Sequence, residues 1–149
     1  MLPNMPTRRH LIRSGILLFW ATWFTVVTLT NVLDGLKALG FLPAGWTLAS
    51  GNYGLMLKVA AVHSTPTPVV ALLFLGVIVW EALATVLFWR AWAGRAEAIH
   101  TAFTVGLALW AAFVLADEIF IAYPLEAVHL RLFGLQLVSL LALRLLPDD

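Results

Sequence analysis

Cysteine is absent from the sequence, which excludes disulfide bonds, thiolate metal sites and cysteine nucleophiles. Charged residues are scarce, because Asp, Glu, Lys and Arg together make up only 11% of the 149 residues, whereas soluble domains carry roughly 25%. The basic residues form no run or patch, so we expect no nucleic-acid partner.

Motifs that carry known chemistry are missing as well. The sequence has no Ser–His–Asp spacing, phosphate-binding glycine loop or nucleotide fingerprint, and Gly51-Asn-Tyr-Gly54 is only a turn signal. Carboxylates and histidines are present, but no His-x-x-x-His spacing occurs, and the two Glu-x-x-His spacings, Glu97–His100 and Glu126–His129, fall at opposite ends of the predicted bundle and form no pair like that of di-iron proteins. We therefore expect no cofactor and no metal, and we favour a non-enzymatic role.

Apolar residues dominate what remains. They make up 62% of the chain, and the mean hydropathy is +0.94. A soluble domain of this size cannot bury so much apolar surface, so we predict an all-α, polytopic four-helix transmembrane bundle that forms one domain, residues 1–149. The predicted spans cover approximately residues 12–33, 68–89, 101–123 and 127–146.

A long apolar connection, residues 35–67, separates the first two spans. Glycines interrupt it repeatedly, yet the run from Leu55 to Val62 is long enough for two helical turns. So apolar a segment is not expected to extend into water. We predict a cap of one or two short helices at the membrane surface, with a merely tethered loop as the alternative.

The distribution of basic residues predicts the orientation. The positive-inside rule puts both termini in the cytoplasm and the long loop outside, in a bacterial cytoplasmic (inner) membrane. Thr7-Arg-Arg-His-Leu-Ile-Arg13 resembles a twin-arginine export signal, with a small-residue site at Ala38-Leu-Gly40. Positive-inside anchors are the better interpretation, because the apolar run 15–33 is longer than a signal core. The arginines on the cytoplasmic side are Arg8, Arg9, Arg13, Arg90, Arg95 and Arg144.

Two adjacent acids end the third span, and each costs about 2.5–3.5 kcal/mol on membrane insertion. A turn at Pro124 makes the last two spans antiparallel, so Glu118 falls opposite Arg131. We expect Arg131 to pair with Glu118 or Asp117. Such a pair either fixes helix register or forms part of a ligand site.

Further polar residues are predicted at the same outer level. Asn31 and Asp34 close the first span on one helical side, and the loop contributes His63. We therefore predict an outer polar cluster roofed by the cap, which together with the deeper Glu81 provides the candidate ligand-binding residues. These are Asn31, Asp34, His63, Glu81, Asp117, Glu118, His129 and Arg131.

Glu81 lies within the second span, roughly 10 Å deeper than this cluster at 1.5 Å per residue. Its expected partners are Thr85, one turn away, or polar residues of the first and last spans. A packing hydrogen bond and a proton or ligand site both remain open, because an unpaired intramembrane acid is a functional candidate. The partners expected from the other spans are Thr22, Thr25, Gln136 and Ser139.

Small residues repeat every four positions along the third span. Such a stripe allows close approach of another helix, so it favours a homo-oligomer or a larger membrane complex if it faces lipid. The stripe consists of Thr104, Ala108, Ala112 and Ala116.

Several short motifs resemble the bacterial "predicted small integral membrane protein" family, whose function is unknown. They are Asn31-x-x-Asp34 at the end of the first span, Trp80-Glu81-Ala82 in the second and Glu118-Ile-Phe120 at the end of the third. The resemblance implies a similar length and four-helix layout, but no activity. A looser likeness is to four-helix sterol-binding and sterol-isomerase-like membrane proteins. It implies that Asp34 and Glu81 line a cavity for an amphiphile.

The sequence thus favours a small accessory or binding protein in the membrane. Its outer pocket is expected to hold a lipid-like or small polar ligand, or a partner subunit, with membrane lipid as the surrounding partner. The alternative is a membrane-embedded enzyme or proton-coupled carrier that uses Glu81 and Asp34.

Overall fold

The structure is a computed structural model that describes residues 8–145. It confirms the all-α prediction. The predicted end of the last span at Leu146 and both ends of the predicted 1–149 domain lie outside the described residues. The helices are α1 (Arg8–Ala38), α2 (Asn52–Ala60), α3 (Thr67–Trp92), α4 (Ala96–Ile119) and α5 (Tyr123–Leu145), with a 3-10 turn (Ala61–His63) after α2.

Four of these helices, α1, α3, α4 and α5, are long and apolar enough to cross a membrane. Their outer faces carry large exposed apolar side chains; Leu72 is 69% exposed and Leu115 is 65% exposed. Apolar surface on every side indicates burial in lipid rather than in water. The protein is therefore a multi-pass membrane protein with four spans.

The first helix is longer than predicted, because it continues five residues beyond Leu33. The helix stops after Ala38 because Gly40, two residues later, has a φ of +80°, which glycine adopts without strain. The N–H of Phe41 donates to the carbonyl of Leu36, and that of Gly40 donates to Lys37. This Schellman arrangement satisfies the last carbonyls of α1. Asp34 consequently lies on the helix and not after it.

Neighbouring spans pack antiparallel, α1 against α3, α3 against α4 and α4 against α5. In the described part of the chain, α1 and α5 show no comparable backbone packing. Large side chains fill the centre instead. Phe24 stacks on Phe88 at 5.5 Å and on Trp110 at 5.8 Å between ring centroids.

The predicted cap is confirmed as a short helix over one end of the bundle, which we call the cap end. Helix α2 packs against α1 and α3, and the ring of Tyr53 lies 5.4 Å from that of Phe74. Exposed apolar side chains such as Phe41, which is 74% exposed, suit a position at the membrane surface.

The close approach of α4 and α5 does not use the predicted stripe of small residues. Thr104 and Ala108 are exposed, while Ala112 and Ala116 are half-buried. The approach occurs at Gly106 instead, where a Cβ atom would lie 2.5 Å from the Nε2 atom of Gln136. This contact fixes the register of α4 against α5.

Candidate functional site

The polar side chains at the cap end form two separate hydrogen-bonded groups. The first, which we call the cap network, consists of Asn31, Asp34, Ser50, Asn52 and Glu81. The second, which we call the Asp–His pair, consists of Asp117 on α4 and His129 on α5. The two groups differ in whether their hydrogen-bonding capacity is used within the protein.

Glu81 is joined to the cap network by Asn31. The Nδ2 atom of Asn31 donates to both carboxyl oxygens of Glu81, at 3.0 and 2.8 Å, and both side chains are buried. Helix α3 begins at the cap end, and side chains lean towards the N-terminus of their helix. The flanking contacts place Asn31 and Glu81 at the same level, since Thr28 lies 3.2 Å from Thr85 one turn deeper and the Cβ position of Gly35 lies 3.9 Å from Ile78 one turn nearer the cap.

The partners expected for Glu81 were wrong. The hydroxyl of Thr85 donates to the backbone carbonyl of Glu81 and not to its carboxyl group. The hydroxyl of Thr25 donates to the carbonyl of Ala21, and that of Ser139 to Leu135. Each of these hydroxyls donates its hydrogen to the preceding turn of its own helix, and the bonds that Thr25 and Thr85 make across the α1–α3 contact go to Trp89 and Thr28 rather than to Glu81.

The loop completes the network from above. The Oδ1 atom of Asn31 accepts hydrogen bonds from the Ser50 hydroxyl at 2.7 Å and from Nδ2 of Asn52 at 2.8 Å. Asp34 accepts one from the Tyr53 N–H at 2.8 Å and a longer one from Ser50 at 3.3 Å. Gly51 precedes α2 and offers no side-chain cap. Asp34 on α1 therefore caps α2 from outside, where a carboxylate also suits the helix dipole.

The Asn31–Glu81 contact at the centre of the cap network is consequently satisfied within the protein. Both carboxyl oxygens of Glu81 and both polar atoms of the Asn31 amide have partners. These bonds hold the cap on α1 and α3. They join three of the sequence-predicted site residues, namely Asn31, Asp34 and Glu81.

The structure corrects the ion pair expected across the turn at Pro124. The Asp117 carboxylate lies 2.5 Å from Nδ1 of His129, while Glu118 and Arg131 are both exposed. Within residues 8–145 no ion pair joins Glu118 to Arg131. Successive helical residues diverge by about 100°. Asp117 and His129 therefore face the helix interface, whereas Glu118 and Arg131 face outwards.

Two aromatic rings orient His129. The Phe113 ring lies 4.8 Å from the imidazole at an interplanar angle of 17°, and the Trp110 ring lies 6.4 Å away at 21°. Asp117 makes Nδ1 the protonated nitrogen, because a carboxylate accepts a hydrogen bond there. Nε2 has no partner among the described residues. This nitrogen can accept a hydrogen bond, or donate one when the ring is protonated.

His63 makes a separate contact between the cap and α4. Its Nε2 atom donates to the carbonyl of Ile119 at 2.7 Å, and its ring lies 5.5 Å from Phe120. That carbonyl belongs to the last turn of α4, where helix carbonyls lack intrahelical partners. His63 thus ties the end of the cap to α4 without joining the Asp–His pair.

Some participants were not predicted from the sequence. Ser50 and Asn52 flank a glycine turn, a pattern typical of loop residues that bond to the backbone. Trp110 and Phe113 lie seven and four residues before Asp117, so all three share one face of α4. That spacing was available as a signal for an aromatic face below the acid.

Among residues 8–145, no group of three or more His, Asp or Glu side chains is placed to hold a metal ion. No known protein family, curated protein or solved structure matches this chain. The resemblances to the small integral membrane protein family and to sterol-binding membrane proteins therefore stay predictions.

Proposed function

We propose that this chain is a non-enzymatic binding protein of the bacterial cytoplasmic membrane, with both termini in the cytoplasm and the cap outside. It binds the polar head of a lipid-like ligand through His129. The observation that carries the proposal is the Asp–His pair, in which Asp117 occupies Nδ1 and leaves Nε2 for another partner.

The orientation rests on charge. Arg90, Arg95 and Arg144 lie at the end of the bundle opposite the cap, in or beside the last turn of α3 and α5. The cap end carries Lys37 and Lys58. Because cytoplasmic loops are enriched in arginine and lysine, the arginine-rich end is the cytoplasmic one.

The depth of the Asp–His pair suits a lipid head. Helix α5 begins at Tyr123, so His129 lies about 9 Å along it. The pair therefore sits just below the membrane surface, with the Phe113 and Trp110 rings beneath it. At this depth the polar head groups of membrane lipids meet their apolar acyl chains.

The alternative, an enzyme or proton-coupled carrier that uses Glu81 and Asp34, has less support. A catalytic or transported proton requires a group whose hydrogen bonds change during the cycle. Both oxygens of Glu81 accept bonds from Asn31, and Asp34 caps α2. Removal of either acid would loosen the cap before it affected any reaction.

Native mass spectrometry of protein released from mild detergent tests the proposal. The variant His129→Asn is designed to keep a donor near the Nδ1 position for Asp117 while it removes Nε2. We expect the wild type to carry one lipid-like adduct, and the variant to lose about tenfold in affinity, the worth of one hydrogen bond.

Thr104→Ala is a matched control, because Thr104 is exposed on the same helix as Asp117. It should retain the adduct. A bare wild-type protein would overturn the proposal, as would an adduct of equal occupancy on His129→Asn.

A further inference from the structure

Five polar atoms in the middle of the bundle have no hydrogen-bond partner among the described residues. They are the Nε1 atoms of Trp20, Trp23 and Trp110 and both amide atoms of Gln136. Buried polar groups in folded proteins are nearly always paired. Trp80 follows this rule, since its Nε1 donates to the carbonyl of Val105 at 3.1 Å.

These atoms belong to one aromatic region. Trp20 lies 6.2 Å from Phe24, and Phe24 lies 5.8 Å from Trp110. Gln136 packs over Gly106, one helical turn before Trp110. We call this region the seam and define it as Trp20, Trp23, Phe24, Trp110 and Gln136.

The seam lies on the side of the bundle where the backbones are least tightly packed. Trp20 and Trp23 come from α1 and Gln136 from α5, the two helices that lack close backbone packing. Phe19 lies 6.0 Å from Trp23 and is 48% exposed, so the seam reaches the lipid-facing surface. The five unpaired atoms themselves are buried, so a molecule dissolved in the membrane reaches them from this side only when side chains such as Phe19 move aside.

The chemistry of the seam defines its ligand. An indole N–H only donates, and the Gln136 amide adds two N–H donors and one acceptor oxygen. Donors therefore outnumber acceptors, and the buried residues packed around them are apolar. A neutral molecule with acceptor oxygens fits, whereas a charged one would be costly to bury.

We propose that the seam binds the carbonyl oxygens of a neutral, membrane-soluble carbonyl compound. The proposal rests on the proposed function, because it names the class of ligand whose head reaches His129. Trp110 links the two sites, since its ring stacks on both Phe24 and His129. Two sources share this chemistry, the ring carbonyls of a quinone and the ester carbonyls of a glycerolipid.

NMR spectroscopy of the indole N–H groups, with 15N-labelled tryptophan in nanodiscs, separates these sources. Nanodiscs made from diether lipids contain no ester carbonyl, so neither candidate ligand is present before the titration. In these nanodiscs, shifts on addition of decylubiquinone would identify a quinone. Shifts on replacement of diether by diester lipid, without quinone, would identify a glycerolipid.

The chain provides its own controls, because Trp80, Trp89 and Trp92 already donate to protein acceptors. We expect the signals of Trp20, Trp23 and Trp110 to move, and those three controls to stay. Movement of none of the seam signals, or equal movement of the controls, would overturn the proposal. Tryptophan→Phe variants assign the signals.

Gln136→Leu retains the volume of the side chain and removes its polar atoms. The ligand concentration that half-saturates the Trp110 signal should rise about tenfold; an unchanged titration would remove Gln136 from the site.

The two proposals fail separately. If the adduct is lost in His129→Asn but the indole signals of the seam do not move, the seam proposal is wrong and the His129 proposal stands. If the indole signals of the seam move but the adduct is retained in His129→Asn, the assignment of His129 is wrong and the seam proposal stands.

Discussion

The cap network and the Asp–His pair each bury a carboxylate near the same end of the membrane, but they use it differently. The Asn31 amide donates to both oxygens of Glu81, and groups of the loop and α2 donate to Oδ1 of Asn31 and to Oδ2 of Asp34. Asp117 instead holds one nitrogen of His129, and the other nitrogen has no partner among the described residues.

The difference shows that an intramembrane acid does not by itself identify a site. Such acids are costly and usually paired, and Glu81 is paired in order to hold a cap. Unused hydrogen-bonding capacity is the better criterion, and it points to His129 and to the seam. The cap network is expected to contribute mainly to stability, and the Asp–His pair mainly to binding.

The largest effect is expected from Asn31→Leu, which removes the donor of Glu81 and the acceptor of Ser50 and Asn52 at once. A buried acceptor left without its donor costs about 1–3 kcal/mol, and more when it is charged, and here the donors Ser50 and Asn52 lose their acceptor as well. Thermal unfolding in detergent, followed by circular dichroism, should show this loss.

The double variant Asn31→Leu with Glu81→Leu should recover much of that stability, because replacing both partners by apolar groups is close to neutral. If the single and double variants unfold at the same temperature, the bond between Asn31 and Glu81 does not hold the cap, and the contrast between the two groups fails.

A smaller effect is expected from Gly106→Ala, which alters the helix contact that sets the register of the Asp–His pair. The new Cβ would lie 2.5 Å from Nε2 of the fully buried Gln136. Overpacking of this kind costs about 1–3 kcal/mol. Gly76→Ala is the control, since no atom lies within 4 Å of its Cβ position. Equal midpoints for the two variants would show that α4 and α5 are not held at this contact.

The smallest effect is expected at the turn that positions the pair. Ile121 has a φ of +56°, a left-handed conformation that is strained for a β-branched residue. Ile121→Gly should stabilise the protein by about 1 kcal/mol, because relief of strain exceeds the added freedom of the unfolded chain. Chemical denaturation measures the change. A destabilised variant would mean that side-chain packing of Ile121 outweighs the strain.

The sequence predicted the four spans and the cap because apolar length and glycine positions determine them. It failed on pairing because the spans are apolar all round, so hydropathy does not show which way a residue faces. Equal distance from the turn at Pro124 paired Glu118 with Arg131, whereas the structure brings together Asp117 and His129, which lie seven and five residues from that proline. Glu81 was placed too deep relative to Asn31 because the first span was predicted to end at Leu33, whereas α1 continues to Ala38 and Asn31 lies seven residues before its end.

The most direct test of the division between the two groups is the thermal unfolding midpoint of wild type and His129→Asn before and after exhaustive delipidation. A ligand that binds only the folded state raises its stability. We predict that delipidation lowers the midpoint of the wild type more than that of His129→Asn, because the variant binds the ligand about tenfold more weakly. Equal losses in both proteins would contradict the assignment of His129 as the binding group.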